Sequence, residues 1–263
     1  MSSVAATDSL ALRLRALKLP SFVSHHTDLA SRAEREGWGF NQFLKELVEL
    51  ELNERRARRI ERLRKSSGLD RDKTIATLDQ TRLPVKVRRQ IPTLCEGGFV
   101  ERAENLLAFG LPGRGKSHLL TAISHELVQR GYSVLFVPTF KLVQRLLQAK
   151  RDLTLETTMR RLDRFDAVLI DDIGYTQQSR EEMEVLFNFL AERYERRSVL
   201  ITSNLVFSQW DRIFKDAMTT AAAIDRIVHH ATILELTGLS YRDEEAKKRN
   251  RGSKDQSSKK DRS

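Results

Sequence analysis

Eight consecutive residues, Gly110, Leu111, Pro112, Gly113, Arg114, Gly115, Lys116 and Ser117, match G-x-x-x-x-G-K-[ST] in full. Glycines at these positions let successive backbone N–H groups turn inward as an anion nest. A helix starting at Lys116 adds the partial positive charge of its N-terminus. The Lys116 ammonium reaches β- and γ-phosphates, and the Ser117 hydroxyl is an oxygen ligand for Mg²⁺. The ligand set implied is ATP with Mg²⁺. His118 follows directly and is counted with the nucleotide-binding residues. The Arg114 side chain is expected to point away from the phosphates, because the backbone does the cradling.

A second constellation lies downstream. Val168-Leu169-Ile170-Asp171-Asp172 reads as a buried strand ending in two carboxylates, at the edge where α/β sheets bind ligands. Asp171 is placed to hold Mg²⁺ through water, and Asp172 to orient or polarise the attacking water. A plain Asx turn is the alternative; the P-loop one strand-helix unit upstream argues against it. Ile201-Thr202-Ser203-Asn204 closes the next strand. Asn204 is either a strand-end turn residue or a contact for the γ-phosphate or its attacking water. Arg226, in Asp225-Arg226, is either a surface ion pair or an arginine offered to a neighbouring subunit's nucleotide, and spacing does not decide. His229 and His230 are expected to pack or face solvent rather than bind metal, since no carboxylate or second spaced histidine accompanies them.

The elements that position these residues alternate strand and helix. Strands are expected at 105–109, 133–137, 167–170, 199–202 and 232–236, with helices at 116–130, 139–150, 181–196 and 224–230. Thr139 is read as a helix N-cap, and Ser208 as the cap of a short helix through Ile213. This pattern implies an α/β fold: a parallel five-stranded sheet with helices on both faces.

Four segments follow. Residues 1–68 read as a basic all-helical domain, 69–104 as a connector, 105–241 as the α/β core and 242–263 as a basic disordered tail. In the first, Pro20 interrupts the helical pattern. Phe40, Phe43, Leu44, Leu47, Val48, Leu50 and Leu52 give the last helix one apolar face. That helix runs into Arg55, Arg56, Arg58, Arg59 and Arg62. A solvated face is the ordinary reading of such a run. Phosphate contact by Arg55, Arg56, Arg59 and Arg62 is the other, and the charge balance favours it.

That balance is +10 over 263 residues, with 31% charged and 40% hydrophobic. Such an excess favours a polyanionic partner, nucleic acid before an anionic membrane. A single cysteine, Cys95, excludes an intramolecular disulfide and a cysteine-based zinc site. No run of about 18 apolar residues suggests a membrane span, and the N-terminus is too charged for a secretory leader. A cytoplasmic protein without a membrane partner is expected.

Taken in order, these residues resemble the IstB family of insertion-sequence transposition helper ATPases, related to DnaC-like helicase loaders in the AAA+ class. The match is carried by Leu17-Lys18-Leu19-Pro20, the helix from Phe40 to Arg64, Phe99–Leu106, the P-loop with His118, Val168–Tyr175, Thr202–Trp210, Ile224-Asp225-Arg226 and Ser240-Tyr241-Arg242. The resemblance implies a AAA+ core behind a small helical domain. It implies a homo-oligomer formed through the ATPase domain on duplex DNA, and recruitment or stimulation of an IstA-like transposase. It gives Asn204 the sensor-one role, Arg226 the arginine finger and Arg242 the sensor-two role. The Asp-Asp pair departs from the common Asp-Glu, and the shorter Asp172 implies slow hydrolysis. A replicative helicase loader and a nucleotide-sensing adaptor without catalysis are the alternatives.

Overall fold

The computed structural model describes residues 10–174, 179–210, 213 and 217–237. The chain divides into two compact units between Arg62 and Leu63. No described helix is long and apolar enough to cross a membrane.

The first unit is helical. Residues 10–16 form a short helix, followed by α1 (Pro20–Glu36) and α2 (Phe40–Ser67). Pro20 starts α1 instead of merely interrupting the pattern: its missing N–H is an orphan there anyway. Gly37, at φ 68°, ends it. The apolar face expected of α2 is not buried as a face. Leu47 is buried, but Phe40, Leu44, Val48 and Leu52 stand exposed. Glu51 is buried beside Leu47 and accepts hydrogen bonds from the Ser21 N–H at 2.9 Å and Arg55 Nε at 2.6 Å. Burial pushes the Glu51 carboxyl upward, yet the Arg55 and Ser21 bonds hold it below its ordinary value.

The second unit carries α3 (Val85–Glu96), β1 (Asn105–Phe109), α4 (Lys116–Gln129), β2 (Val134–Pro138), α5 (Thr139–Arg151), α6 (Leu155–Leu162), β3 (Ala167–Ile173), α7 (Arg180–Arg193), β4 (Ser198–Ser203), α8 (Ala217–Val228) and β5 (Ala231–Glu235). The segment expected only to connect contains α3, which buries Val87, Ile91, Leu94 and Cys95 at helical spacing. Pro84 caps that helix instead of breaking it, although Pro92 lies inside it.

All pairings in the sheet are parallel, in the order β2-β3-β4-β1-β5. Leu107, Phe109, Val168, Ile170, Val199 and Ile201 share one core with residues of α5, α7 and α8. The alternate strand residues Leu106, Ala108, Leu169 and Leu200 are also fully buried. Successive strand side chains point to opposite faces, so both faces are covered. The α/β P-loop architecture read from the sequence is therefore the observed one.

Arg193, at the end of α7, is 2% exposed. Its guanidinium donates to the carbonyls of Leu162, Phe165 and Ser198 at 3.0–3.1 Å. One side chain thus ties the end of α6, the turn before β3 and the start of β4. Burial lowers its pKa to about 10, against the pull of Asp163, so it stays charged at neutral pH.

Candidate nucleotide site

The P-loop lies between the buried end of β1 and the start of α4. Gly110 (φ 150°), Gly113 (φ 77°) and Gly115 (φ 83°) take up the positive-φ conformations that turn the loop. At Gly110 a Cβ would meet the Leu236 carbonyl oxygen at 2.5 Å, so the backbone just past β5 forbids any side chain there. Lys116 is 5% exposed. Its ammonium donates to the carbonyls of Gly110 at 2.6 Å and Leu111 at 3.1 Å. The cation is thus held inside the loop, where an incoming phosphate would compete for it. Leu111 and Pro112 are exposed, and Arg114, Ser117 and His118 are half-buried.

His118 also faces away from the loop. Its Nε2 lies 3.2 Å from both Thr77 Oγ1 and the Thr74 carbonyl. Farther along α4, His125 Nε2 lies 2.9 Å from the Asp70 carbonyl. Residues 70–77 therefore strap onto the flank of the P-loop helix. The sequence singled out His118 but gave no reason to pair it with this segment.

The carboxylate pair sits where β3 stops pairing regularly. The β3–β4 register shifts between Ile170 and Ile173, and Asp172 adopts φ 59°. This local bulge leaves Asp172 exposed and Asp171 half-buried. Thr202, on β4, donates to Asp171 Oδ1 at 2.6 Å and accepts from the Asp172 N–H at 2.8 Å. Thr139 donates to the Asp171 carbonyl at 2.8 Å. It does not cap α5 as expected; Pro138 occupies the N-cap position and the hydroxyl crosses to β3. From sequence Thr139 was read only as a helix N-cap, and Thr202 was given no role although it stands in the quoted Ile-Thr-Ser-Asn run.

Ser117 and Asp171 offer a hydroxyl and a carboxylate, an oxygen donor set suited to a hard cation such as Mg²⁺. Thr202 fixes one Asp171 oxygen, which orients the carboxylate. Asn204 follows β4 directly, and β4 lies between β1 and β3, so Asn204 stands beside the carboxylate strand. Its Oδ1 is buried without a hydrogen-bond partner among the described residues. Arg226 lies on α8, its guanidinium 5.0 Å above the Phe187 ring and its Nη1 buried without a partner among the described residues. Folded chains leave few such atoms unsatisfied. Arg242 falls outside the described residues, as do Tyr175 and the basic tail.

In the first unit, Arg55, Arg56, Arg59 and Arg62 are all exposed. Arg55 is partly engaged: besides Glu51, its Nη2 donates to the Lys18 carbonyl at 2.6 Å. Arg55, Arg58, Arg59 and Arg62 line a groove together with Lys18.

Residues 12–249 match the family described as IstB-like ATP binding protein. An insertion-sequence ATP-binding protein of Sinorhizobium fredii is 42% identical over 246 residues, covering 92% of this chain and 83% of that one. The insertion sequence IS21 ATP-binding protein of Pseudomonas aeruginosa is 35% identical over 239 residues, covering 91% and 90%. Among solved structures, DnaI superposes with a TM-score of 0.54 at 23% identity, over 65% of this chain and 96% of that one. AMPPCP-bound DnaA from Aquifex aeolicus gives 0.52 at 18% identity, over 65% and 51%.

Proposed function

The chain belongs to the IstB-like ATP-binding family, and from that premise we propose that it is an ATPase that assembles on duplex DNA and recruits or stimulates a transposase. That it is an ATP-binding protein of the AAA+ class follows from the family and the fold. The observation that carries the finer reading is the reach of the insertion-sequence relatives: the two named above cover 92% and 91% of this chain, more than the nucleotide-binding core. DnaI shares the fold alone, so it lends the helicase-loader reading no separate support.

In this reading Lys116 leaves its loop carbonyls for the β- and γ-phosphates, while the P-loop N–H groups cradle them. Ser117 and Asp171 hold Mg²⁺, which when bound neutralises phosphate charge. Asp172 orients the attacking water, Asn204 senses the γ-phosphate, and Arg242 acts as sensor two. Arg226 reaches the nucleotide of a neighbouring copy, which completes the site through a homo-oligomer. Asn204 Oδ1 and Arg226 Nη1, buried without partners among the described residues, suit a half-site awaiting its complement. Arg55, Arg56, Arg59 and Arg62 contact DNA phosphates, giving little sequence preference and a steep salt dependence.

The test is fluorescence anisotropy of labelled duplex and single-stranded DNA with ATP, with ADP and without nucleotide. The reading requires duplex binding that tightens at least tenfold with ATP. Binding indifferent to nucleotide, or equal for both DNA forms, overturns it.

A further inference from the structure

His229 and His230 form the turn after α8, where the nearest carboxylates in sequence are Asp225 and Glu235. The fold supplies another. Glu195 lies in the turn after α7, and its Oε1 sits 4.0 Å from His229 Nδ1 and 3.9 Å from His230 Nε2. The ligand atoms of all three residues fall within 4.8 Å of one another. A phenol joins them: Tyr194 Oη lies 2.9 Å from His229 Nδ1. We propose that Glu195, His229 and His230 form a site for a borderline transition-metal ion, of the Zn²⁺, Co²⁺ or Ni²⁺ class.

The chemistry selects that class. Two imidazoles and one carboxylate suit these ions, whereas Mg²⁺ and Ca²⁺ take oxygen ligands. Three protein ligands with an open fourth position is a recurrent arrangement for zinc. Ligand atoms around a tetrahedral ion stand about 3.4 Å apart, as metal bonds of about 2.1 Å dictate. The side chains must therefore close in by less than about 1.5 Å. All three side chains are more than half exposed, so rotation can supply that movement.

The backbone beneath is already set. The His230 carbonyl accepts from the Asn105 N–H at 2.7 Å, anchoring it at the start of β1. The His229 N–H donates to the Asp225 carbonyl at 2.9 Å. Glu195 adopts φ 56°, a left-handed conformation that non-glycine residues seldom take. The cluster lies at the N-terminal ends of the strands, opposite the P-loop edge, so it is separate from the nucleotide site. An ion there would staple the turn after α7 to the turn after α8. Arg226 of α8 stacks on Phe187 of α7, so the staple would also fix the carrier of that arginine.

The experiment uses the full chain without a histidine tag, stripped with chelator and free of nucleotide, at pH 7.5. Zn²⁺ is titrated calorimetrically, and Co²⁺ is followed by its d–d absorption. One ion per chain is expected, with the intense bands of a four-coordinate nitrogen and oxygen site. Glu195→Gln should weaken binding at least tenfold, and His229→Ala with His230→Ala should abolish the bands. His25→Ala with His26→Ala should leave them unchanged. Thermal melting in the absence of metal confirms that each variant is folded. No saturable binding by the wild type, or bands that persist in the His229/His230 double variant, overturns the proposal. Neither outcome bears on duplex binding or ATP hydrolysis.

Discussion

Thr202 Oγ1 bonds both members of the carboxylate pair, 2.6 Å from Asp171 Oδ1 and 2.8 Å from the Asp172 backbone nitrogen. A single hydroxyl on β4 thereby orients the Asp171 carboxylate and closes the bulge that exposes Asp172. Thr202→Val keeps the shape but removes both bonds. ATP hydrolysis should fall on the order of tenfold to a hundredfold, as when a ligand loses its supporting partner. ATP binding should change far less, and Thr202→Ser should restore most of the rate. Steady-state turnover with a separate binding titration decides it; unchanged turnover in Thr202→Val would refute this role.

Arg226→Ala should leave ATP binding by dilute protein intact. Hydrolysis at concentrations that support assembly should drop on the order of a thousandfold, the low end for an arginine acting on a transferred phosphoryl group. Turnover measured against protein concentration separates the cases. An equal proportional loss in dilute monomer would rule out action across an interface.

Arg193→Met leaves the carbonyls of Leu162, Phe165 and Ser198 without their donor. Hydrogen bonds to a charged group contribute about 1.5–3 kcal/mol each, and here they are shared, so a loss of about 3 kcal/mol is expected. Urea denaturation reads it directly. A midpoint within error of wild type would show that the buried guanidinium does not hold these segments.

Glu51 predicts a pH dependence. Its folded carboxyl titrates below its ordinary value despite burial, because Arg55 and Ser21 hydrogen-bond the charged form. The stabilisation is fully present above the unfolded carboxylate value of about 4.3 and is lost as pH falls toward the lower folded value. Helical circular dichroism during urea melts at pH 7, 5 and 3.5 should show a shallower acid loss in Glu51→Gln than in wild type. Parallel pH curves would remove Glu51 as a source of the acid sensitivity.

The P-loop and the strand-helix alternation were legible because both are local: glycine spacing and apolar periodicity lie within a few residues. The order of the sheet was not. β4 inserts between β1 and β3, and parallel pairings join segments far apart in the chain, which periodicity does not register. α3 was not foreseen in the segment expected to connect, where Pro84 precedes the helix and Pro92 lies inside it, although a proline before the first helical turn is well tolerated. α6 was missed: its apolar residues, Leu155, Met159 and Leu162, are few. In α2 the helical period was right but its burial was not. The face that packs within the first unit carries Leu47 and the salt-bridged Glu51, and half of the apolar stripe remains outside. His229 and His230 were set aside for want of a carboxylate, and Glu195 arrives from the other side of β4. The bonds of Thr139 and Thr202 to Asp171 likewise exist only once three strands are adjacent.

Asp172 stands at φ 59°, where a residue with a Cβ costs on the order of 1 kcal/mol and glycine is at ease. A laboratory selection for heat resistance alone would be drawn to glycine there, since the backbone N–H that meets Thr202 survives the exchange. It would yield a hardier protein with an emptied carboxylate position, so thermal robustness and turnover are set against each other at this one residue.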